Sequence, residues 1–170
     1  LPWYELFAPL GKSTKCYTTE EARDYLITVF SSFSPDMAEM MKRAFAEGWI
    51  DFYPRNGKVG GAFCEALNSK KEFRVLTNFS GSFSDLVTLA HELGHGYHDF
   101  VVHDNEPLNM EYSMPVAETA STFNENVITG YAIDHTGDEE EKLALIESQL
   151  SDTAQIMCDI YSRFLFESEV

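Results

Sequence analysis

Residues 83–102 read Phe83-Ser84-Asp85-Leu86-Val87-Thr88-Leu89-Ala90-His91-Glu92-Leu93-Gly94-His95-Gly96-Tyr97-His98-Asp99-Phe100-Val101-Val102. Ser82, followed three positions later by Asp85, makes a capping box ahead of this run, and Asp85 also suits the positive end of a helix. Leu86, Leu89, Ala90, Leu93, Tyr97, Phe100 and Val101 recur at helical spacing as one apolar stripe. At about 100° per residue, His95 lies only about 40° round from His91, and His98 about 20° to the other side. The three imidazoles therefore share a face opposite the stripe, and Glu92 projects to one flank. His91-Glu92-Leu93-Gly94-His95 is an H-E-x-x-H pattern on a helix: two histidines able to hold a metal ion, and a carboxylate able to reach a water on it without being a ligand. Metal-assisted hydrolysis needs that geometry.

A solvated helix that happens to carry histidines would share this spacing. It would not explain Gly94 and Gly96 in mid-helix, where each costs about 1 kcal/mol against alanine. Glycine there points to a backbone or a site residue in close approach. Two histidines and a water leave one position of a four-coordinate zinc to fill. A third histidine ten positions after the first is ruled out, because Val101 stands there. The downstream carboxylates are Asp99, Asp104, Glu106, Glu111, Glu118 and Glu125. Glu118 stands out among them. Residues 115–125 predict a new helix with Pro115 in its first turn and small residues around the acid, which let it pack close to the first helix.

His91 to His98, followed by Val116-Ala117-Glu118-Thr119-Ala120-Ser121 and Asn124-Glu125, resembles the oligoendopeptidase F branch of the thimet oligopeptidase family. Gly57-Lys58, Gly61-Ala62 and Thr77-Asn78-Phe79 match as well, so the resemblance runs along nearly the whole chain. It implies zinc ligands at His91, His95 and Glu118, one Zn²⁺ per chain, and Glu92 as general base. Thermolysin-type sites carry an Asp four residues after the third ligand; Thr122 stands there, so supporting contacts to the ligands fall to Glu125, with His98 a further candidate. In the resembled family a strand near the zinc helix binds substrate through its main chain. Gly60, Gly61 and Ala62 suit that role, since small side chains let a ligand backbone approach, although a bulge in a hairpin would explain them too.

The net charge is −16 and lopsided: residues 1–100 hold 13 acidic and 10 basic side chains, residues 101–170 hold 15 and 2. Such a field repels nucleic acid and anionic membranes and is compatible with cationic peptides, though a solvated acidic helix surface accounts for it as well. No run of eighteen apolar residues and no charged-then-apolar leader is present. Cys16, Cys64 and Cys158 are scattered without metal-ligand spacing, which favours buried free thiols and a reducing, cytoplasmic setting.

In chain order, residues 1–17 form a loop-like lead with Pro2, Pro9 and Gly11. Thr18 to Glu21 makes a capping box opening a helix to about Ser32. Ser34-Pro35 starts another, with Met37, Met40, Met41, Ala44 and Phe45 on its core side, ended by Gly48. Three short strands are expected at 49–53, 60–67 and 73–79, with turns at 55–58 and 68–71. A last helix, with Leu143, Ile146, Leu150, Ala154, Met157, Tyr161 and Phe164 at helical spacing, runs from about 138 to 170 without a stop signal.

These elements predict one domain: a mainly helical α+β, zincin-like metallopeptidase core with a small antiparallel or mixed sheet beside the zinc-binding helix. Segments 1–48 form a helical lead, 49–80 the sheet, 83–102 the zinc helix, 115–130 the third-ligand helix and 138–170 the long last helix. The abrupt start at Leu1 and the uncapped end mark a catalytic core fragment of a longer enzyme, lacking the tyrosine and histidine donors that the resemblance places further along. Phe164, Leu165 and Phe166 beside that end would drive self-association. The expected function is zinc-dependent endopeptidase action on internal bonds of short peptides. Two alternatives are a helical H-E-x-x-H metallocarboxypeptidase and a non-enzymatic peptide-binding module with a vestigial zinc site.

Overall fold

The structure is a computed structural model that describes Pro2 and residues 15–170; the rest of the expected loop-like lead lies outside the described residues. Residues 15–170 form two compact units, residues 15–128 and residues 129–170. Every residue of the candidate site belongs to the first.

That unit opens with helix α1 (Thr19–Phe33), whose capping box pairs Thr18 and Glu21 as the sequence requires. Helix α2 (Pro35–Ala46) follows at once, with the Ser34 hydroxyl accepting from the Met37 amide and Pro35 in the first turn. Met37, Met40, Met41 and Ala44 are buried, so the methionine stripe is core. Gly48, at φ +68°, turns the chain out of the helix in a conformation that glycine adopts without strain.

The sheet has strands β1 (Ile50–Asp51), β2 (Phe63–Leu67) and β3 (Glu72–Leu76), in the order β1-β3-β2. It is mixed. β1 runs parallel to β3, with Ile50 opposite Val75, and β2 runs antiparallel to it, with Phe63 opposite Leu76 and Leu67 opposite Glu72. All three strands are shorter than the sequence suggests. Gly61, at φ +79°, breaks the extended backbone, so 60–62 form a loop that leads into β2 rather than its first turn of ladder. The pairing of β1 with β3 outlasts the ladder, since the Thr77 amide donates to Asp51 O at 2.9 Å and the Phe79 amide to Phe52 O at 2.8 Å.

Helix α3 (Phe83–Val102) begins with the expected Ser82–Asp85 capping box. Leu86, Leu89, Ala90 and Leu93 sink into a core that includes Leu26, Phe30, Met41 and Phe73. Each of the three leucines of α3 contributes about 1.5–3 kcal/mol by leaving water. The second half of the stripe does not follow: Phe100 and Val101 are exposed. Helix α4 (Met114–His135) is longer than the predicted 115–130 segment.

The second unit holds the end of α4, then α5 (Glu139–Ala154), a π-helical stretch at Gln155–Ile160 and α6 (Tyr161–Glu169). The expected last helix is thus interrupted by i→i+5 bonding. Phe164, Leu165 and Phe166 are exposed on it. Among the described residues no helix is long and apolar enough to cross a membrane. Only one of the three thiols is withdrawn from water as expected: Cys64, on β2, is half-buried, while Cys16 and Cys158 are exposed, the first ahead of α1 and the second in the π stretch.

Candidate metal centre

Helical spacing puts His91 and His95 side by side, their Nε2 atoms 3.1 Å apart. α4 crosses them and presents Glu118, whose Oε2 stands 3.4 Å from His91 Nε2 and 3.7 Å from His95 Nε2. Ligand atoms about 2.0–2.1 Å from a tetrahedral ion stand about 3.3–3.4 Å from one another. The three separations bracket that value, so the residues fit a divalent metal. Among the described residues, this is the group of histidine, cysteine and carboxylate atoms close enough to hold one. Asp99, Asp104, Glu106 and Glu111 stay out of it.

The close approach of α4 depends on small residues. A Cβ on Gly94 would lie 2.9 Å from both Ala120 O and Ser121 Cα, and 3.0 Å from Asn124 Nδ2. On the opposite side, a Cβ on Gly96 would lie 2.6 Å from the Phe73 ring. The mid-helix glycines are therefore both contact residues, one for α4 and one for the sheet. Asn124, fully buried, donates its amide to Ala90 O at 3.0 Å and ties the two helices together. The Ser121 hydroxyl, also fully buried, donates to Glu118 Oε2 at 2.8 Å and so orients the carboxylate. Neither role was legible from spacing alone; the run of small residues around Glu118 was the available signal.

Glu125 lies one face-repeat beyond Glu118 and hydrogen-bonds His91 Nδ1. A proton held at Nδ1 by that carboxylate leaves the Nε2 lone pair free for a metal. Burial pulls the His91 pKa down, but the bond to Glu125 and the surrounding carboxylates outweigh it and raise it. His95 moves the other way, lowered by burial and then by the charge of His91. Glu92 is only 6% exposed, and burial first, then Glu118 and Glu125, push its carboxyl up despite His91. Thr122, in the position where thermolysin-type sites carry an Asp, turns its hydroxyl back to Glu118 O at 2.6 Å. His98 is not brought to the His91–His95–Glu118 group. Its ring packs on Tyr112 at 4.3 Å between centroids, and its Nδ1 is buried without a partner.

Gly60, Gly61 and Ala62 sit in the loop before β2. Asn78 fixes that loop by donating its amide to Val59 O at 3.0 Å and to Gly61 O at 2.9 Å. Nothing lies within 4 Å of where a Cβ on Gly60 or Gly61 would stand, so this backbone is open.

A family model described as peptidase family M3 matches residues 21–167. The chain belongs to peptidase family M3. Within the family it is 31% identical over 149 residues to oligopeptidase PepF of Bacillus subtilis, covering 86% of this chain and 22% of that protein. It is 33% identical over 148 residues to the chromosomal oligoendopeptidase F of Lactococcus lactis subsp. cremoris, covering 86% and 24%. The M3 chain thus spans about a quarter of the length of these relatives. A crystal structure of a candidate peptidase from Chlamydophila abortus superposes with a TM-score of 0.81 at 28% identity, over 90% of this chain and 26% of that one. Pz peptidase A with an inhibitor shares the fold, with a TM-score of 0.69 at 20% identity over 85% of this chain and 25% of that one.

Proposed function

We propose that this M3 chain carries the metal centre of a zinc-dependent oligopeptidase that hydrolyses internal bonds of short peptides. The convergence of His91, His95 and Glu118, with Glu92 beside them, is the observation that carries the reading. A zinc ion held by the three would supply Lewis acidity, lowering the pKa of a water toward neutrality and polarising the scissile carbonyl.

The chain's own residues supply the proton transfers and the positioning. Glu92 takes the proton from the attacking water on its carboxylate and passes it to the leaving amine nitrogen, a role worth about 10²–10⁴-fold. Burial, by raising its pKa, brings it closer to the range in which it can both accept and release that proton. Glu125 holds the proton on His91 Nδ1, and Ser121 aims Glu118. β2 is an edge of the sheet, and the open Gly60–Ala62 backbone continues that edge. An extended peptide adding to it would lie across the His91–His95 face, with main-chain hydrogen bonds setting its register. Peptides are then the partners, and the free cysteines favour a cytoplasmic setting.

The test uses the whole, zinc-loaded protein and an end-blocked, internally quenched oligopeptide. Internal cleavage is expected, and Glu92→Gln should keep the zinc while lowering kcat by about 10²–10⁴-fold. A blocked peptide that survives while the free one loses C-terminal residues would replace this reading with an exopeptidase. Near-normal turnover by Glu92→Gln would remove Glu92 from the role of base.

A further inference from the structure

His95, Asp99 and Val102 are spaced i, i+4 and i+7 on α3 and share one stripe of its surface. Along the axis, Asp99 lies about 6 Å and His103 about 12 Å beyond His95. β2 runs beside this stripe: the Cys64 thiol is pushed up by burial and by the charges of both Asp99 and Glu92, and Ala66 shares a pocket with Asp99. That pocket, about 330 Å³, is lined by Ala66, Asn68, Asp99, His103, Glu111 and Tyr112 among others.

Its charged side chains, Asp99 and Glu111, are both carboxylates. The Tyr112 hydroxyl donates to Asp99, which leaves the tyrosine without a proton to offer a ligand and the carboxylate with its second oxygen. His103 is 7% exposed and pairs Nε2 with Asn68 Oδ1 at 2.9 Å. Since Asn68 Oδ1 can only accept, Nε2 donates to it, while Nδ1 is buried without a partner. Glu111 adds a second carboxylate at the rim, and no lysine or arginine lines the pocket. These side chains do not converge as a metal-ligand group. The Tyr112 ring, seated on His98, offers an aromatic wall suited to a flat cation.

We propose that this pocket is a substrate subsite for a basic side chain, arginine foremost, of the bound peptide; the inference rests on the reading that the protein binds and cleaves peptides. A guanidinium brings five donors in a planar fork, matching the carboxylates of Asp99 and Glu111. Extended peptide advances about 3.3 Å per residue, so a pocket about 6–12 Å from His95 receives the side chain about two to four residues from the scissile bond.

The test measures binding by calorimetry to the Glu92→Gln form of the whole, zinc-loaded protein. The ligands are end-blocked peptide pairs with arginine or its neutral isostere citrulline, two, three or four residues to either side of a central bond. At one of these positions arginine should bind about tenfold or more tightly than citrulline, the scale of a charge-assisted hydrogen bond. Glu111→Gln and Asp99→Asn should each bring that ratio close to one. Because Glu111 is exposed, its variant answers even where Asp99→Asn perturbs Tyr112. Equal binding of every pair, or a preference that survives both substitutions, overturns the subsite. Selective binding by a wild-type protein that cleaves none of the peptides would instead overturn the hydrolase reading and leave the subsite standing. Internal cleavage without arginine preference would do the reverse.

Discussion

Gly94→Ala isolates the contact that brings Glu118 to the histidines. The new methyl would meet Ala120 O and Ser121 Cα at 2.9 Å. Non-bonded carbons prefer about 3.5–4.0 Å, so α3 and α4 must part by about 0.5–1 Å. Overpacking of this kind costs about 1–3 kcal/mol, and the better helix propensity of alanine returns about 1. The net loss is about 1 kcal/mol, seen as a melting temperature lower by about 2–4 °C. Zinc affinity should suffer more. Ligand positions must hold to about 0.2 Å, and Glu118 rides on the displaced helix. Competition with a fluorescent chelator should therefore show zinc binding at least about tenfold weaker. Gly96→Ala is the control, since its methyl would strike the Phe73 ring on the sheet side. It should lose comparable stability and keep its zinc affinity. If Gly94→Ala binds zinc as tightly as wild type, the α3–α4 contact does not set the position of Glu118.

Two further outcomes follow from the electrostatics. The Glu92 carboxyl is raised mainly by burial, so its charged form destabilises the folded, metal-free protein once pH exceeds the unfolded value of about 4.3. Glu92→Gln should then raise the melting temperature of chelator-treated protein at pH 7 and change it little near pH 4; a lower melting temperature at pH 7 would contradict this. Asp51 is held at about 2 by hydrogen bonds from Arg55 and then Lys58, whose amine is almost wholly buried and also donates to Asp51 O and Tyr53 O, each at 3.0 Å. A depressed carboxyl stabilises above its unfolded pKa and loses that contribution as pH falls through the folded one. Asp51→Asn should accordingly melt below wild type at pH 7, with the gap closing between about pH 4 and pH 2; a gap independent of pH would assign it to packing alone.

The local signals in the sequence were strong where one element carries them. The Ser82–Asp85 box, the 3.6-residue stripe and the histidine spacing define α3 without reference to anything else, and α3 lies where they put it. The Pro115 start and the small residues around Glu118 likewise marked α4. Non-local features were not legible. The order β1-β3-β2 requires knowing that residue 50 pairs with residue 75, and no turn residue between them records it. Gly61 looked like part of a strand because a left-handed φ leaves no mark beyond the glycine itself. Phe100 and Val101 continue the helical period yet are exposed, as are Cys16 and Cys158. Tyr112 lies between elements, where no periodicity could have assigned it to His98 and Asp99.

The central claim is that His91, His95 and Glu118 bind one zinc ion. An anomalous difference map, recorded at the zinc edge from crystals of the zinc-loaded protein, tests it most directly. One peak per chain is expected, about 2.0–2.1 Å from His91 Nε2 and His95 Nε2 and about 2.0–2.2 Å from a Glu118 oxygen. A peak held by a different carboxylate, with Glu118 turned away from both histidines, would contradict the account.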